Sequence, residues 1–462
     1  MNMEPPVSDM TGIGYPRCAM LGERMHLSGR ANMALMALIG SRRLWPLTLT
    51  QSCGALNDNL VKNAMVVLAL FRLHVGATGL SALAGALFIA PYILLSATAG
   101  VLADRFAKPR LILVYKLMEV ALMAAAAIAF LTASVPGLLA VLVGLGFQAA
   151  LFGPVKYGVL PEYLAEEELL GGNAVIEATT FLSIVCGTVA GGGLVLLDDG
   201  PVLVAVTGLA LSLVGLFAAV LMPPALPANP RLRVHPNILA ETWRVLRAAH
   251  TFRPIWLSLL GISWFWTMGA TILTELPIVA RDTMKAQGSV LTLFLAMFAI
   301  GVGIGSIGCT RLLRDRISAR LAPFAALGIS VFCWEFARAA AAAQGMVTAW
   351  DIAATPAGWR LLADLTLLAA CGGIFSVPLY AIIQEAAPPD SRSRMVAANN
   401  IMNALFMVIG AAAAAGLAAA GLNAPRTLVA AAAANLLVAG WLFTVTRKIS
   451  PGIAPGGNSA VR

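Results

Sequence analysis

FGPVKYGVLPE, at residues 152–162, has a counterpart in the second half of the chain, FSVPLYAIIQE at residues 375–385. Phe, Tyr and Glu recur at the same intervals, as Phe152, Tyr157 and Glu162 and then as Phe375, Tyr380 and Glu385. The copies are offset by close to half of the 462-residue chain, and each ends a mostly apolar segment. Two similar apolar halves indicate a membrane transporter with its substrate site between them.

The composition supports a membrane protein. Charged residues make up 11% of the chain and hydrophobic residues 59%, whereas a soluble domain has about 25% charged residues. The apolar runs are continuous and rich in Ala and Leu, which favours helices over a strand barrel. Runs long enough to cross a bilayer number twelve and lie at about residues 45–72, 78–103, 110–132, 136–155, 172–197, 201–222, 254–279, 289–310, 320–343, 359–384, 395–421 and 425–446. The sequence therefore predicts an all-α membrane protein with twelve transmembrane helices.

The net charge of +9 is concentrated in alternate loops, for example at Arg105 and Arg110 and again at Arg392 and Arg394. This pattern predicts that these loops and both termini are cytoplasmic, and it argues against nucleic-acid binding. The predicted segments are an N-terminal tail, a six-helix half, a cytoplasmic linker, a second six-helix half and a C-terminal tail, at residues 1–43, 44–222, 223–253, 254–446 and 447–462.

The cysteines and histidines are scattered without metal or redox spacing, so neither a metal nor a cofactor is predicted. An acyltransferase would carry an Asp five positions after a His, and no His here has one. The chain also lacks a P-loop or acyl-activating glycine-rich loop. These absences argue against an enzyme.

The loop after the second predicted helix reads GVLADRFAKPR, at residues 100–110. This segment resembles the signature of the major facilitator superfamily, which implies a fold of two pseudo-symmetric six-helix halves. Gly100 allows close helix contact, and Asp104 at a helix end is placed to pair with the other half. The alternative is a charged loop that only fixes topology.

Three further stretches narrow the resemblance: GALNDNLVKNA at 54–64, PVKY at 154–157 continuing to LAEEEL at 164–169, and GGNAVIEATTF at 171–181. Together they resemble the bacterial lysophospholipid transporter family, especially the transporter module fused to an acyltransferase and an acyl-carrier-protein synthetase. The resemblance covers about residues 45–445. It implies inward flipping of lipids such as lysophosphatidylethanolamine across the inner membrane for re-acylation. Some members carry an acidic residue in the eleventh span, near the place where this chain has Asn403, and this departure leaves ion coupling open.

Polar side chains inside the predicted helices are the substrate-site candidates, because a charge at the bilayer centre costs about 2.5–3.5 kcal/mol on insertion scales. Asp58 and Lys62 are four residues apart and share a helix face. Glu275 lies near the expected repeat position of Asp58, or simply near the outer water. The alternative for each is a structural contact between helices. The candidates are Asp58, Asn59, Lys62, Asn63, Glu177, Thr180, Glu275 and Asn400.

A second group of polar residues lies where helices are predicted to meet the cytoplasm. We expect its acidic members to meet Arg105, or the basic end of the eighth helix, when the cytoplasmic side closes. The alternative is surface charge without a gating role. The gating candidates are Asp104, Arg105, Arg110, Lys156, Tyr157, Glu162 and Glu385.

The predicted function is lysophospholipid transport by alternating access, with a lysophospholipid substrate, membrane lipid and a separate acyltransferase as partners of a monomer. One alternative is a proton-coupled exporter of small amphipathic solutes or drugs. The other is a non-transporting membrane partner of an acyltransferase. Transport assays with the pure chain distinguish the three.

Overall fold

The structure is a computed structural model that describes residues 36–69, 80–314 and 316–449. The N-terminal half contains α1 to α6, at Trp45–Val67, Leu80–Arg105, Lys108–Leu131, Val135–Tyr163, Glu166–Leu194 and Gly200–Val220. The linker forms α7, at Ile238–Thr251. The C-terminal half contains α8 to α14, at Arg253–Ile278, Gly288–Leu313, Ala322–Ala342, Ala349–Ala353, Pro356–Ala386, Arg392–Ala419 and Ala424–Ile449. A π-helical turn, Val279–Thr283, extends α8, and a 3-10 turn, Ala319–Leu321, precedes α10.

The all-α membrane fold is confirmed, and the described residues contain no strand. Eleven helices in this part of the chain are long and apolar enough to cross a membrane. The first predicted span, α1, is long but does not reach that apolarity because polar residues occupy its middle. Three of its polar side chains, those of Gln51, Asn57 and Asn63, form hydrogen bonds with α3 or α5. The predicted tails, 1–43 and 447–462, lie almost wholly outside the described residues.

The predicted end of the fourth span, near residue 155, is wrong: α4 continues to Tyr163. Pro154 and Pro161 lie inside this helix, although proline removes a backbone hydrogen bond and is read as a helix breaker. A transmembrane helix tolerates proline where neighbouring helices satisfy the freed carbonyl. The segment 152–162 is therefore helical, and Lys156 and Tyr157 lie within the helix rather than at its end.

Two of the carbonyls freed by prolines have partners on other helices. Pro161 has no N–H for the carbonyl of Tyr157, and the Gln384 Nε2 atom of α12 donates to that oxygen at 3.1 Å. In the second half, Pro378 has no N–H to donate to the carbonyl of Ile374. That oxygen lies 3.7 Å from the Cys309 Sγ atom of α9. Both prolines thus create helix-to-helix contacts, and the contact at Tyr157 joins the two halves.

The two halves meet at one end of the bundle, which we name the Asp104 end. There the last turns of α2 pack on the first turns of α13. A Cβ atom on Gly100 would lie 2.7 Å from the Ala397 Cβ atom and 2.9 Å from the Arg394 Cα atom. Beside this contact, the start of α5 and the ends of α9 and α12 share one apolar cluster, formed by Leu170, Ala174, Cys309, Leu313, Val377 and Ala381. The interface at this end is therefore closely packed.

Close packing inside the C-terminal half gives a stability prediction. Gly305→Ala should destabilise the protein by about 1–3 kcal/mol, because its new Cβ would overlap the Ala370 carbonyl oxygen of α12. Gly303→Ala on the same helix is the matched control, since nothing lies within 4 Å of its Cβ position. Thermal unfolding of the two purified variants in detergent measures the difference. Equal midpoints for the two would contradict the packing described here.

Candidate functional site

The middle of α1 presents a half-buried polar face formed by Asp58, Asn59, Lys62 and Asn63. The Lys62 Nζ atom donates to Asn59 Oδ1 at 3.1 Å, and no described carboxylate forms a salt bridge with it. Asp58 and Lys62 interact electrostatically but form no direct salt bridge, since the lysine turns back toward Asn59. The Asp58 carboxylate has no hydrogen-bond donor among the described residues and remains available to a ligand.

Lys156 of α4 faces this polar cluster. Its ammonium lies 4.7 Å from the centroid of the Tyr157 ring and interacts electrostatically with Glu177 and Asp58. The side chain is half-buried and has no salt-bridge partner in the described part of the chain. An ammonium that interacts with two carboxylates but has no salt-bridge partner can donate hydrogen bonds to the phosphate of a zwitterionic ligand. Lys156 was predicted as a gating residue, and the structure groups it with the substrate-site candidates.

Glu177 of α5 is buried at the contact between the halves, with 1% of its surface exposed. The Ser376 hydroxyl of α12 donates to its Oε1 atom at 3.1 Å, and the Tyr157 hydroxyl lies 3.5 Å from Oε2. One carboxylate thus receives groups from both halves. Separation of the halves would remove the Ser376 bond, so Glu177 is sensitive to the conformational state.

The tyrosines of the repeat meet across the interface. The rings of Tyr157 and Tyr380 stack with centroids 4.5 Å apart and an angle of 5°. The Trp266 Nε1 atom of α8 donates to the Tyr380 hydroxyl at 2.8 Å. Trp266 in turn stacks on Phe181 of α5, with centroids 5.6 Å apart. The ring of Phe298 of α9 also contacts Phe181, with centroids 6.0 Å apart. An aromatic wall therefore adjoins the charged cluster.

Two other substrate-site candidates hold α1 against α5. The Thr180 hydroxyl donates to Gln51 Oε1 at 2.9 Å, and the Asn63 Nδ2 atom lies 3.3 Å from the Thr188 hydroxyl. These bonds satisfy polar groups within the N-terminal half and fix the orientation of the Asp58 face. The geometry favours a positioning contribution for both residues.

Amides contribute to the contact between halves. Asn400 of α13 packs on Gly153 of α4, where a Cβ atom would overlap its Nδ2. Nearer the Asp104 end, the Asn173 Nδ2 atom donates to Gln384 Oε1 at 2.6 Å, and Gln384 Nε2 lies 3.1 Å from Asn173 Oδ1. Asn400 therefore lies at the interface, beside rather than within the charged cluster.

Asp104, at the end of α2, accepts hydrogen bonds from the first turn of α13. Its Oδ1 atom receives the Ser393 N–H at 3.0 Å, and Oδ2 receives the Arg394 N–H at 3.3 Å and Nε at 3.1 Å. Free N–H groups and the helix dipole favour a carboxylate at a helix N-terminus. Asp104 is fully buried, so it caps a helix of the opposite half.

The other gating candidates lie near this contact but have different partners from those expected. Glu162 forms a salt bridge with Lys108 rather than Arg105, because Lys108 begins the adjacent helix α3. The Arg105 guanidinium lies 5.2 Å from the Phe106 ring centroid. Glu385 neighbours Glu166 of the other half instead of an arginine. Arg110 is exposed.

Lys116 and Glu119 form a buried ion pair in the N-terminal half, with an Nζ–Oε2 distance of 2.5 Å. Asn57 donates to Glu119 Oε1 at 3.1 Å and Gln148 to Oε2 at 3.3 Å. The carboxylate is thus fully satisfied, as expected for a structural pair. This cluster fastens α1 to α3 and α4 beneath the Asp58 face.

Glu275 is separated from this site. Asp58 is the fourteenth residue of α1, and the fourteenth residue of α8 is Trp266, whereas Glu275 is the twenty-third. Counted from the helix starts, Glu275 therefore lies further along α8 than Asp58 lies along α1.

Several residues at the site were not predicted: Gln51, Lys108, Ser376, Gln384 and Arg394. Gln384 and Ser376 lie within the repeated segment, so the repeat was a signal for both. Their contacts depend on the pairing of α4, α5 and α12, which the sequence does not give. Within the described residues, no three His, Cys, Asp or Glu side chains are arranged to hold a metal.

Sequence comparison identifies related transporters. A lysophospholipid transporter of Klebsiella pneumoniae subsp. pneumoniae is 32% identical over 311 residues, which cover 65% of this chain and 70% of the relative. The lysophospholipid transporter of Enterobacter sp. is 28% identical over 358 residues, covering 75% of this chain and 81% of the relative. These relatives confirm the prediction of a transporter rather than an enzyme.

Solved structures share the fold at low sequence identity. The E. coli fucose:proton symporter, in its outward conformation, superposes with a TM-score of 0.64 at 14% identity, over 89% of this chain and 100% of the symporter. A bacterial homologue of ferroportin in an outward-facing state gives 0.63 at 16%, over 87% and 99%. The sequence profile of the Major Facilitator Superfamily matches residues 47–353. This chain therefore belongs to the Major Facilitator Superfamily and, within it, to the same family as the bacterial transporters that it matches in sequence.

Proposed function

We propose that this protein moves lysophospholipids across the bacterial inner membrane by alternating access and releases them on the cytoplasmic side. The relatives named as lysophospholipid transporters support this substrate class. The observation that carries the proposal is the Lys156 ammonium, which has Asp58 and Glu177 as electrostatic neighbours beside an aromatic wall. Charge next to apolar surface suits a lipid with one acyl chain.

In this proposal the phosphate of the headgroup binds Lys156, and Asp58 with Glu177 keeps that ammonium directed into the site. Charge-assisted hydrogen bonds are about twice as strong as neutral ones, and a surrounding of low dielectric strengthens them further. The acyl chain lies along Phe181, Phe265 and Trp266, because each buried methylene contributes about 0.8 kcal/mol. Headgroup and chain therefore occupy adjoining parts of one cavity.

The proposed orientation places the Asp104 end in the cytoplasm, since the basic loops lie there. The structure then has its cytoplasmic side closed by Asp104, by the Asn173–Gln384 pair and by the stacked tyrosines. Opening this side would break these contacts and release the lysolipid to the inner leaflet, where a separate acyltransferase would re-acylate it. Because each contact joins opposite halves, movement of the halves against each other accounts for the cycle.

Asp58→Ala should lower lysolipid uptake about ten- to hundredfold, because a charge-assisted interaction is worth about 1.5–3 kcal/mol. Uptake of labelled lysophosphatidylethanolamine into liposomes containing the pure protein measures this. Asp199→Asn is the control, since Asp199 is exposed and makes no side-chain cap bond. Normal uptake by the Asp58 variant would remove this residue from the mechanism.

Asp104→Ala should shift the population toward the state open at the Asp104 end. It leaves two N–H groups of α13 without their acceptor, a loss of about 1.5–3 kcal/mol. Thiol labelling of Cys309, fully buried in the cross-half cluster, should then be about ten- to hundredfold faster. A protein retaining only this cysteine reports the rate. Asp390→Asn, at an exposed position of the same end, should label like the parent, and an unchanged rate for Asp104→Ala would contradict a state-dependent contact.

Selection should depend on the number of acyl chains more than on their length. A second chain would need its own apolar surface in a cavity that must close at both ends, while gaining about 0.8 kcal/mol per methylene by staying in the bilayer. Liposomes with the pure protein should therefore move lysophosphatidylethanolamine and lysophosphatidylglycerol but leave their diacyl forms. Equal movement of diacyl lipid, or transport of soluble drugs without lysolipid, would favour the amphipathic-solute exporter instead.

A further inference from the structure

A cavity of about 530 Å³ lies inside the C-terminal half, at the end opposite Asp104. Its walls are the end of α8 with the following π-helical turn, the segment after α10, the end of α13 and the start of α14. π-Helical turns within helices occur frequently at functional sites. This cavity is separate from the charged cluster around Lys156, and the proposed transport site makes no use of it.

Glu275 lines this cavity without a partner. Only 7% of its surface is exposed, and within the described part of the chain its carboxylate has neither a hydrogen-bond donor nor a salt bridge. Burying an unpaired charge is costly, so buried carboxylates are normally neutralised or hydrogen-bonded. The cavity wall therefore supplies a carboxylate whose complement is a cationic group of a ligand.

The other charged groups of the cavity define what kind of ligand fits. Asp282 is paired with Arg281 through two contacts of 2.8 and 3.0 Å. Lys285 is exposed and has no salt-bridge partner among the described residues. The cavity thus offers a free carboxylate in its wall and a free ammonium at its edge, which is complementary to a zwitterion.

The size of the cavity excludes a bare metal ion as its natural occupant. Ion ligands lie within about 2.6 Å of a bound cation, and a water molecule takes about 30 Å³. A space of about 530 Å³ has room for a phosphate and an amine joined by a short linker. An organic headgroup is therefore the better match.

We propose that this cavity binds the primary ammonium of an amine-bearing phosphodiester headgroup, with Glu275 as its counter-ion and Lys285 facing its phosphate. The inference deepens the proposed lysolipid transport: the cavity, on the outer side in the proposed orientation, receives the headgroup before it reaches Lys156. Glu275 would then favour lipids with an amine over lipids without one.

The direct test compares two headgroups. Glu275→Gln, which keeps the size of the side chain and removes its charge, should raise the half-saturating concentration of lysophosphatidylethanolamine about tenfold. Lysophosphatidylglycerol, which has no amine, should change less than twofold in the same liposomes. Asp199→Asn, which removes an exposed carboxylate that does not line this cavity, is the control and should leave both values unchanged. An equal loss for both lipids, or no loss for either, would overturn the proposal.

A change in the ligand provides a test that does not depend on folding of the variant. Acetylation of the amine of lysophosphatidylethanolamine removes its positive charge. The half-saturating concentration of the acetylated lipid for the unaltered protein should therefore be about tenfold higher. Glu275→Gln should then produce no additional loss on the acetylated lipid. Additive losses from the two changes would show that carboxylate and ammonium do not interact, and would overturn the proposal.

The same ammonium chemistry is also found in soluble glycerophosphoethanolamine, which contains the headgroup without an acyl chain. Thermal stabilisation of the detergent-purified protein by this compound, reduced in Glu275→Gln, would support the cavity even if no lysolipid were transported. Stabilisation without lysolipid transport would contradict the proposed function but not the proposed headgroup cavity. Absence of stabilisation, together with equal transport of both headgroups, would overturn the inference while leaving lysolipid transport intact.

Discussion

The capping of α13 by Asp104 is the interaction on which the arrangement of the two halves depends. A buried carboxylate at the end of one half satisfies the first turn of a helix in the other. It brings a charge, a helix dipole and two N–H groups together where water is excluded. The tyrosine stack, the Asn173–Gln384 pair and the Ser376–Glu177 bond all lie beyond this contact, further into the bundle. Each of these contacts forms only when the two halves lie close together, and the Asp104 cap stabilises that arrangement.

Hydropathy alone predicted most of the fold, because bilayer thickness sets the length of an apolar helix. It failed where polar or helix-breaking residues are satisfied by distant helices. The fourth span was predicted to end near residue 155, yet the helix continues past Pro161 to Tyr163. Gln384, more than two hundred residues away in the sequence, donates to the Tyr157 carbonyl that Pro161 leaves without its helical partner. Boundaries of this kind depend on tertiary contacts and cannot be obtained from local sequence.

Sequence reasoning named candidate residues for the site, but it did not give their pairings. The cost of intramembrane charge pointed to Asp58 and Glu177, and the structure brings Lys156 to both of them. Lys62, expected to pair with Asp58, donates to Asn59. Glu162 forms its salt bridge with Lys108 and not with Arg105. Which of several nearby opposite charges pair is decided by helix rotation and packing, and neither has a signature in a single sequence.

The polar character of α1 has a consequence for how the protein is made. Asp58 and Lys62 each cost about 2.5–3.5 kcal/mol at the centre of an isolated helix during insertion, and α1 emerges from the ribosome before any partner. Its Asn57 donates to Glu119 of α3, and its Gln51 bonds to Thr179 and Thr180 of α5. This helix thus depends on helices synthesised later. Stable entry of α1 into lipid is therefore expected to wait for α3 and α5, which makes biogenesis of the N-terminal half a concerted rather than a helix-by-helix process.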